Sequence, residues 1–286
     1  MESKKTMLSL AQAFHTKTIS FLGAGSVVEA IIGGVLRNEL VPASQIYITN
    51  RSDQERLQTL SNTFGVQIER DKKALIEKAD ILVLAIKPKD VAEACQSLRG
   101  LVRKDQLVIS VIAGVSTDFL REWLGVECAI IRTMPNTSSA IGLSTTGMSR
   151  GRFADEEDLA TAKHLFEAIG SVYALPEEEL DIITGLSGSG PAYIYYMIEA
   201  MEKAGVEAGL KPEIARRLTV ETVLGAAQML LTTNAEPALL RKKITSPNGT
   251  TQAGIEVLDS FSFQEAVVSA VLRATERSRE LGAQFN

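Results

Sequence analysis

The run Ile81-Leu82-Val83-Leu84-Ala85-Ile86 carries no polar side chain on either face, and Leu107-Val108-Ile109-Ser110-Val111-Ile112 is nearly as apolar. A strand apolar on both faces must be covered on both, the condition of a central strand in a parallel sheet with helices above and below. Around these runs, Thr18–Leu22 and Gln45–Thr49 read as strands and Ala129–Arg132 as a shorter one. Helical stretches run from about Val27 to Asn38 and from Asp53 to Phe64. Strands separated by helices predict an α/β fold, a doubly wound parallel sheet of the Rossmann type.

The texture changes after Pro176. From Gly190 onward no strand is convincing, and Pro191 and Pro212 sit where a first-turn proline opens a helix. Further helical stretches run from Glu236 to Lys243, from Thr251, and from Ser262 to Leu281. Several carry apolar residues on more than one face, Ile194–Ile198 and Leu224–Leu231 among them. A helix apolar nearly all round must be buried, and so short a helical part cannot cover itself. The expected organisation is an N-terminal extension over residues 1–16, a dinucleotide-binding domain over 17–176, and an all-helical dimerisation domain over 177–286.

Charge and cysteine usage narrow the class. A formal charge of −5 without any basic block argues against a nucleic-acid partner. No apolar run reaches the roughly 20 residues that span a bilayer, so no membrane role is expected. Cys95 and Cys128 are far apart and lack a companion motif, which predicts small buried hydrophobes, no metal site and a reducing cytoplasm.

The turn Gly23-Ala24-Gly25 joins the first strand to the first helix, followed by Ser26, Val27 and Val28. Glycines there let the backbone turn tightly and let a pyrophosphate reach the free N–H groups of the helix N-terminus. The third small residue of that fingerprint is missing, since Val28 occupies its place, which puts the closeness of helix–strand packing in question. The second strand ends Thr49-Asn50-Arg51-Ser52. A carboxylate at that tip would bind a ribose 2′-hydroxyl; its absence, with Arg51 beside, predicts NADPH as cofactor and NADH as a weaker one. His15 lies in the extension and His164 in the amphipathic stretch Glu156–Ala168, where a surface role is expected. Reducing a carbonyl generally needs a positioned acid. An imine can arrive already protonated, so the lack of an obvious acid–base residue leans toward a C=N substrate.

Four segments acquire meaning together: Ala85-Ile86-Lys87-Pro88, Arg132-Thr133-Met134-Pro135-Asn136-Thr137, the SGSGPAY run Ser187–Tyr193, and Thr245-Ser246-Pro247-Asn248-Gly249-Thr250-Thr251. In this order they closely resemble pyrroline-5-carboxylate reductase, over about Lys17 to Leu281. The resemblance implies NADPH-dependent reduction of 1-pyrroline-5-carboxylate to L-proline, the last step of proline biosynthesis, by a homodimer that could assemble into a larger ring of dimers. It implies that Gly23 to Val28 hold the pyrophosphate and that Asn50 and Arg51 hold the adenosine phosphate. Ala85, Lys87 and Pro88 would line the cofactor, with Ala113, Gly114, Met134, Pro135 and Asn136 near the nicotinamide. Glu177, Ser246, Gly249, Thr250 and Thr251 would bind substrate, the loop 246–251 coming from the partner subunit, with Thr251 the catalytic residue.

This sequence departs from the family pattern at Ser26, Val28 and Asn248, and at Lys72 and Lys243, which either touch the cofactor or are surface charges. Two rivals share the architecture. A β-hydroxyacid dehydrogenase-like enzyme would need a K-x-x-N pair on the long helix, and Tyr193–Met201 has none. A catalytically silent NADP-binding regulator would leave the intact 246–251 loop without a purpose.

Overall fold

The computed structural model describes residues 14–285, apart from the side chain of Pro88. The extension expected over residues 1–16 therefore lies outside the described residues except for its last three. The chain divides into two compact units, one running to Ser189 and taking in the chain again from Ala274, the other Gly190–Arg273.

The first unit is built on one eight-stranded sheet in the order β3-β2-β1-β4-β5-β6-β7-β8. Its strands are β1 (Ile19–Leu22), β2 (Ile46–Thr49), β3 (Gln67–Ile68), β4 (Ile81–Leu84), β5 (Leu107–Ser110), β6 (Ala129–Met134), β7 (Ser144–Arg150) and β8 (Gly170–Ala174). All neighbours pair in parallel except β6 and β7. The helices are α1 (Ser26–Arg37), α2 (Gln54–Phe64), α3 (Lys72–Lys78), α4 (Val91–Leu98), α5 (Thr117–Leu124), α6 (Glu156–Glu167) and the single turn α7 (Leu180–Ile183). Side-chain caps start several of them: Asp53 accepts from Arg56 N, Asp71 from Lys73 N, Ser116 from Phe119 N, and Asp155 from the N–H groups of Glu157 and Asp158.

The doubly wound arrangement follows from the two-sided apolar strands. Ile81 and Val83 of β4 point into one core with α1, α2 and α6, while Leu82 and Leu84 point into the other with α3, α4 and α5. Each such side chain, fully withdrawn from water, contributes about 1.5–3 kcal/mol. Cys95 and Cys128 lie in the second core, and burial pushes both thiols up to about 11, so they pack as inert hydrophobes. Val28 is fully buried in the first core. The close approach comes one turn and a half later, where a β-carbon on Gly34 would stand 2.5 Å from the Ala168 carbonyl oxygen.

Seven elements have no counterpart in the sequence reading. They are β3, α3, α4, α5, α7, the antiparallel β7, and β8, which extends the sheet past β6. His164 is also not the surface residue its helix suggested. Its ring stands edge-on to Phe14 at 5.2 Å between centroids, and its Nε2 is buried without a hydrogen-bond partner among the described residues.

The second unit is helical throughout, with α8 (Gly190–Glu207), α9 (Pro212–Thr233), α10 (Pro237–Ile244), α11 (Thr250–Ser260) and the first part of α12 (Phe263–Gly282). Prolines at the first turn open α9 and α10. Gly205 lets α8 and α9 meet closely, since a β-carbon there would touch that of Ala215 at 3.0 Å. Much apolar surface stays uncovered by the chain itself: Tyr196 is 78% exposed, Leu231 80% and Phe261 80%. Among the described residues no helix is long and apolar enough to cross a membrane.

Candidate active site

The residues read from sequence as cofactor ligands gather in the first unit, at the carboxyl ends of its parallel strands. Gly23 to Val28 follow β1, Asn50 and Arg51 follow β2, Ala85 to Pro88 follow β4, Ala113 and Gly114 follow β5, and Met134 to Asn136 end β6. In an open α/β sheet this edge, beside the reversal of strand order at β1 and β4, is where ligands bind.

The two glycines of the first turn do different things. Gly23 has φ +126°, and a β-carbon there would collide with the Ala85 carbonyl oxygen. Its backbone is fixed between neighbouring strand ends, with Gly23 N donating to Thr49 O at 2.8 Å. Gly25 has nothing within 4 Å of where a β-carbon would stand. It is the N-cap of α1 and offers no side-chain cap, so it leaves the first N–H groups of the helix without a side-chain acceptor of its own. An uncapped helix N-terminus under an empty glycine face fits a dinucleotide pyrophosphate.

A residue not singled out from sequence holds this loop. Arg56 of α2 donates through Nε to Ala24 O at 2.9 Å and pairs with Glu29 of α1. No spacing rule marks an arginine for that task.

At the tip of β2, the Asn50 side chain donates to Asp53 O, and the Arg51 side chain is 70% exposed. Arg51 lies 3.2 Å from Asp90 and 3.7 Å from Glu93. Lys72 donates to Ser97 Oγ, and Lys243 is exposed on α10. Gly114 takes φ +75°, and its carbonyl oxygen would stand 2.7 Å from a β-carbon on Gly282, so the end of α12 lies directly on this loop.

The Met134–Asn136 turn is tied to Ser187. Asn136 Nδ2 donates to Ser187 O at 3.1 Å, and its Oδ1 accepts from Ser138 N. Residues Thr184–Gly188 form one π-helical turn, a distortion frequent at functional sites.

Glu177 is committed to the protein. One oxygen accepts from Thr117 N at 2.8 Å, the other from the Thr117 hydroxyl at 2.7 Å, and Arg132 of β6 donates to it at 3.3 Å. Arg132 also pairs with Asp181, which accepts from Ser278 Oγ at 2.6 Å. This network anchors β6 and the end of α12.

Ser246, Gly249, Thr250 and Thr251 lie in the second unit. Gly249 is the N-cap of α11 and again makes no side-chain cap. Gly249 N donates to Ser246 O at 3.0 Å, closing the turn in front of the helix. Asn248, where the family pattern has glycine, sits at φ +58°. Asparagine is among the few residues that tolerate that region, so the departure keeps the loop's shape. The Gln252 side chain accepts from Asn248 N at 2.8 Å. The site is thus a second uncapped helix N-terminus, suited to a carboxylate, with the Thr251 side chain in the first turn.

The model of the family described as pyrroline-5-carboxylate reductase dimerisation matches residues 177–281. A model described as NADP oxidoreductase, coenzyme F420-dependent, matches residues 18–114. Pyrroline-5-carboxylate reductase 2 of Bacillus subtilis is 46% identical over 269 residues, covering 94% of this chain and 96% of that protein. A solved pyrroline-5-carboxylate reductase from Coxiella burnetii superposes with a TM-score of 0.85 at 36% identity, covering 93% of this chain and 98% of that one. The Plasmodium falciparum pyrroline carboxylate reductase, solved with NADP bound, gives 0.86 at 26% identity, covering 94% and 99%. The chain belongs to the pyrroline-5-carboxylate reductase family.

Proposed function

We propose that this chain uses NADPH to reduce the C=N bond of 1-pyrroline-5-carboxylate, giving L-proline in the cytoplasm. The observation that carries the reading is the near full-length match to pyrroline-5-carboxylate reductases. The anion-ready α1 N-terminus agrees with it. NADPH, when bound, supplies the hydride. The N–H groups at the start of α1 hold its pyrophosphate, and Asn50 and Arg51 take the 2′-phosphate. Ala85, Lys87 and Pro88 line the cofactor, while Ala113, Gly114 and Met134–Asn136 flank the nicotinamide half.

The substrate carboxylate rests on the N–H groups in front of α11, with Ser246 and Thr250 beside it, on a loop supplied by the partner subunit. Thr251 hydrogen-bonds the ring nitrogen and fixes the C=N carbon for transfer. The substrate arrives as the protonated iminium, its ring N–H donating to the Thr251 hydroxyl, so the hydride alone completes the reduction; catalysis is then positioning and electrostatics, with no side chain required as acid. Glu177, oriented by Thr117 and Arg132, borders the substrate site. Incubation with NADPH and pyrroline-5-carboxylate accumulates L-proline, measured by chiral chromatography. Formation of NADPH from NADP and a short β-hydroxy acid would favour the dehydrogenase reading instead.

The 2′-phosphate assignment makes Arg51→Ala selective. NADPH binding weakens by about 1.5 kcal/mol, near tenfold, the lower end for a charge-assisted hydrogen bond because the side chain is exposed. NADH binding stays nearly as it was. Equal losses for both cofactors in a calorimetric titration would make Arg51 structural.

The exposed apolar helix faces make the dimer obligate, and closed rings of such dimers are compatible with it. Light scattering at micromolar concentration gives at least twice the chain mass. A stable, active monomer would contradict the assignment.

A further inference from the structure

We propose that Asp90 sets the cofactor preference by competing with the 2′-phosphate for Arg51. The inference rests on the reading above that Arg51 receives that phosphate. Asp90 stands immediately before α4, at the N-cap position, where an aspartate ordinarily turns its carboxylate onto the helix's own N–H groups. Here it makes no such cap. The carboxylate reaches instead from the turn after β4 to the tip of β2, where Oδ1 accepts from Arg51 NH1 at 3.2 Å. Glu93, one turn into α4, lies 3.7 Å from the same nitrogen. The Arg51 guanidinium is therefore engaged by carboxylates of α4 and of the turn before it.

Binding of a 2′-phosphate must draw Arg51 from Asp90 or share it, whereas a cofactor with a 2′-hydroxyl makes no such demand. The pair thus lowers affinity for the phosphorylated cofactor and leaves the other alone. An exposed ion pair of this kind is worth a factor of about 2 to 5 in an equilibrium constant, and salt weakens it. Asp90 is a specificity-determining residue acting through Arg51.

Isothermal titration of the dimeric enzyme with NADP and with NAD tests this. Asp90→Asn binds NADP about 2- to 5-fold more tightly, binds NAD as the unaltered enzyme does, and loses the advantage as salt is raised. Asp90→Glu restores the original affinity. In an Arg51→Ala background, Asp90→Asn brings no gain. Unchanged or weakened NADP binding in Asp90→Asn overturns the proposal. A gain that survives in the Arg51→Ala background also overturns it, because Asp90 would then repel the phosphate directly. The separate finding that Arg51→Ala alone leaves NADP affinity unchanged would overturn the phosphate assignment beneath it.

Discussion

Replacing Thr251 with valine lowers turnover by roughly 30- to 1000-fold while NADPH binds as before. The substitution keeps the side chain's shape and removes the hydroxyl alone. If that hydroxyl orients the imine nitrogen, its loss costs about 2–4 kcal/mol of transition-state stabilisation, as for one positioned donor in an oxyanion site. The loss falls on kcat, because misaligned transfer costs more than weakened binding. The carboxylate is gripped by backbone N–H groups, so substrate affinity falls less. A bland alternative is that Thr251 caps its helix, predicting about 1 kcal/mol of lost stability with normal kinetics. The cap position of α11 is Gly249, however, and no side-chain cap is made. Near-normal turnover in a well-folded Thr251→Val enzyme would return the residue to a structural role.

The two glycines of the first turn separate folding from binding. Gly23→Ala forces a β-carbon against the Ala85 carbonyl at a backbone angle, φ +126°, that alanine rarely adopts. Neither strand end can retreat, since β1 and β4 pair in register through Leu22 and Leu84. The cost is about 3 kcal/mol or more, seen as a lowered melting temperature, with cofactor binding lost as a consequence. Gly25→Ala behaves oppositely. Its φ of −77° suits alanine, and among the described residues no atom beyond its immediate chain neighbours lies within 4 Å of the new methyl. Stability falls by only about 0.5 kcal/mol, the scale of a poorer N-cap. NADPH affinity nevertheless drops at least about tenfold, because the methyl occupies the path of the pyrophosphate. Tight NADPH binding by Gly25→Ala would mean that the open face over α1 is not the phosphate site.

The parts of the fold visible in sequence are those whose pattern is local. β4 and β5 announce themselves because both faces are apolar, and the glycine turn because it joins a strand to a helix. β7 does not, since Ser144-Thr145-Thr146-Gly147-Met148-Ser149-Arg150 buries Ser144, Thr146 and Ser149 and shows no alternation of apolar and polar. β3 has only two residues, too few for any period. His164 is covered by Phe14, about 150 positions away, and nothing within its own helix foretells that contact. The dimerisation family model begins at residue 177, while the compact second unit begins at Gly190 and ends inside α12. That helix gives no sign where it passes from one unit to the other, because its hydrogen bonding is continuous.

The site was legible by a different route. The backbone-binding loops show through glycine and proline spacing, and Arg51 through its place at a strand tip. Resemblance added the order of the four segments. Three details needed coordinates. Glu177 is one of three consecutive glutamates, and its contacts with Thr117 and Arg132 show only in the structure. Arg56 reaches the Ala24 carbonyl from a separate helix. Asp90 stands at the N-cap position of α4, and only the structure shows its carboxylate turned outward to Arg51.

The central claim is that the chain reduces a cyclic imine with NADPH. The direct measurement is the initial rate of NADPH oxidation, followed by absorbance, when 1-pyrroline-5-carboxylate is added to the purified enzyme. The account predicts steady oxidation that saturates with substrate, is slower with NADH at matched low cofactor concentration, and yields one L-proline per NADPH consumed. A folded, NADPH-binding enzyme that leaves the absorbance unchanged would contradict it.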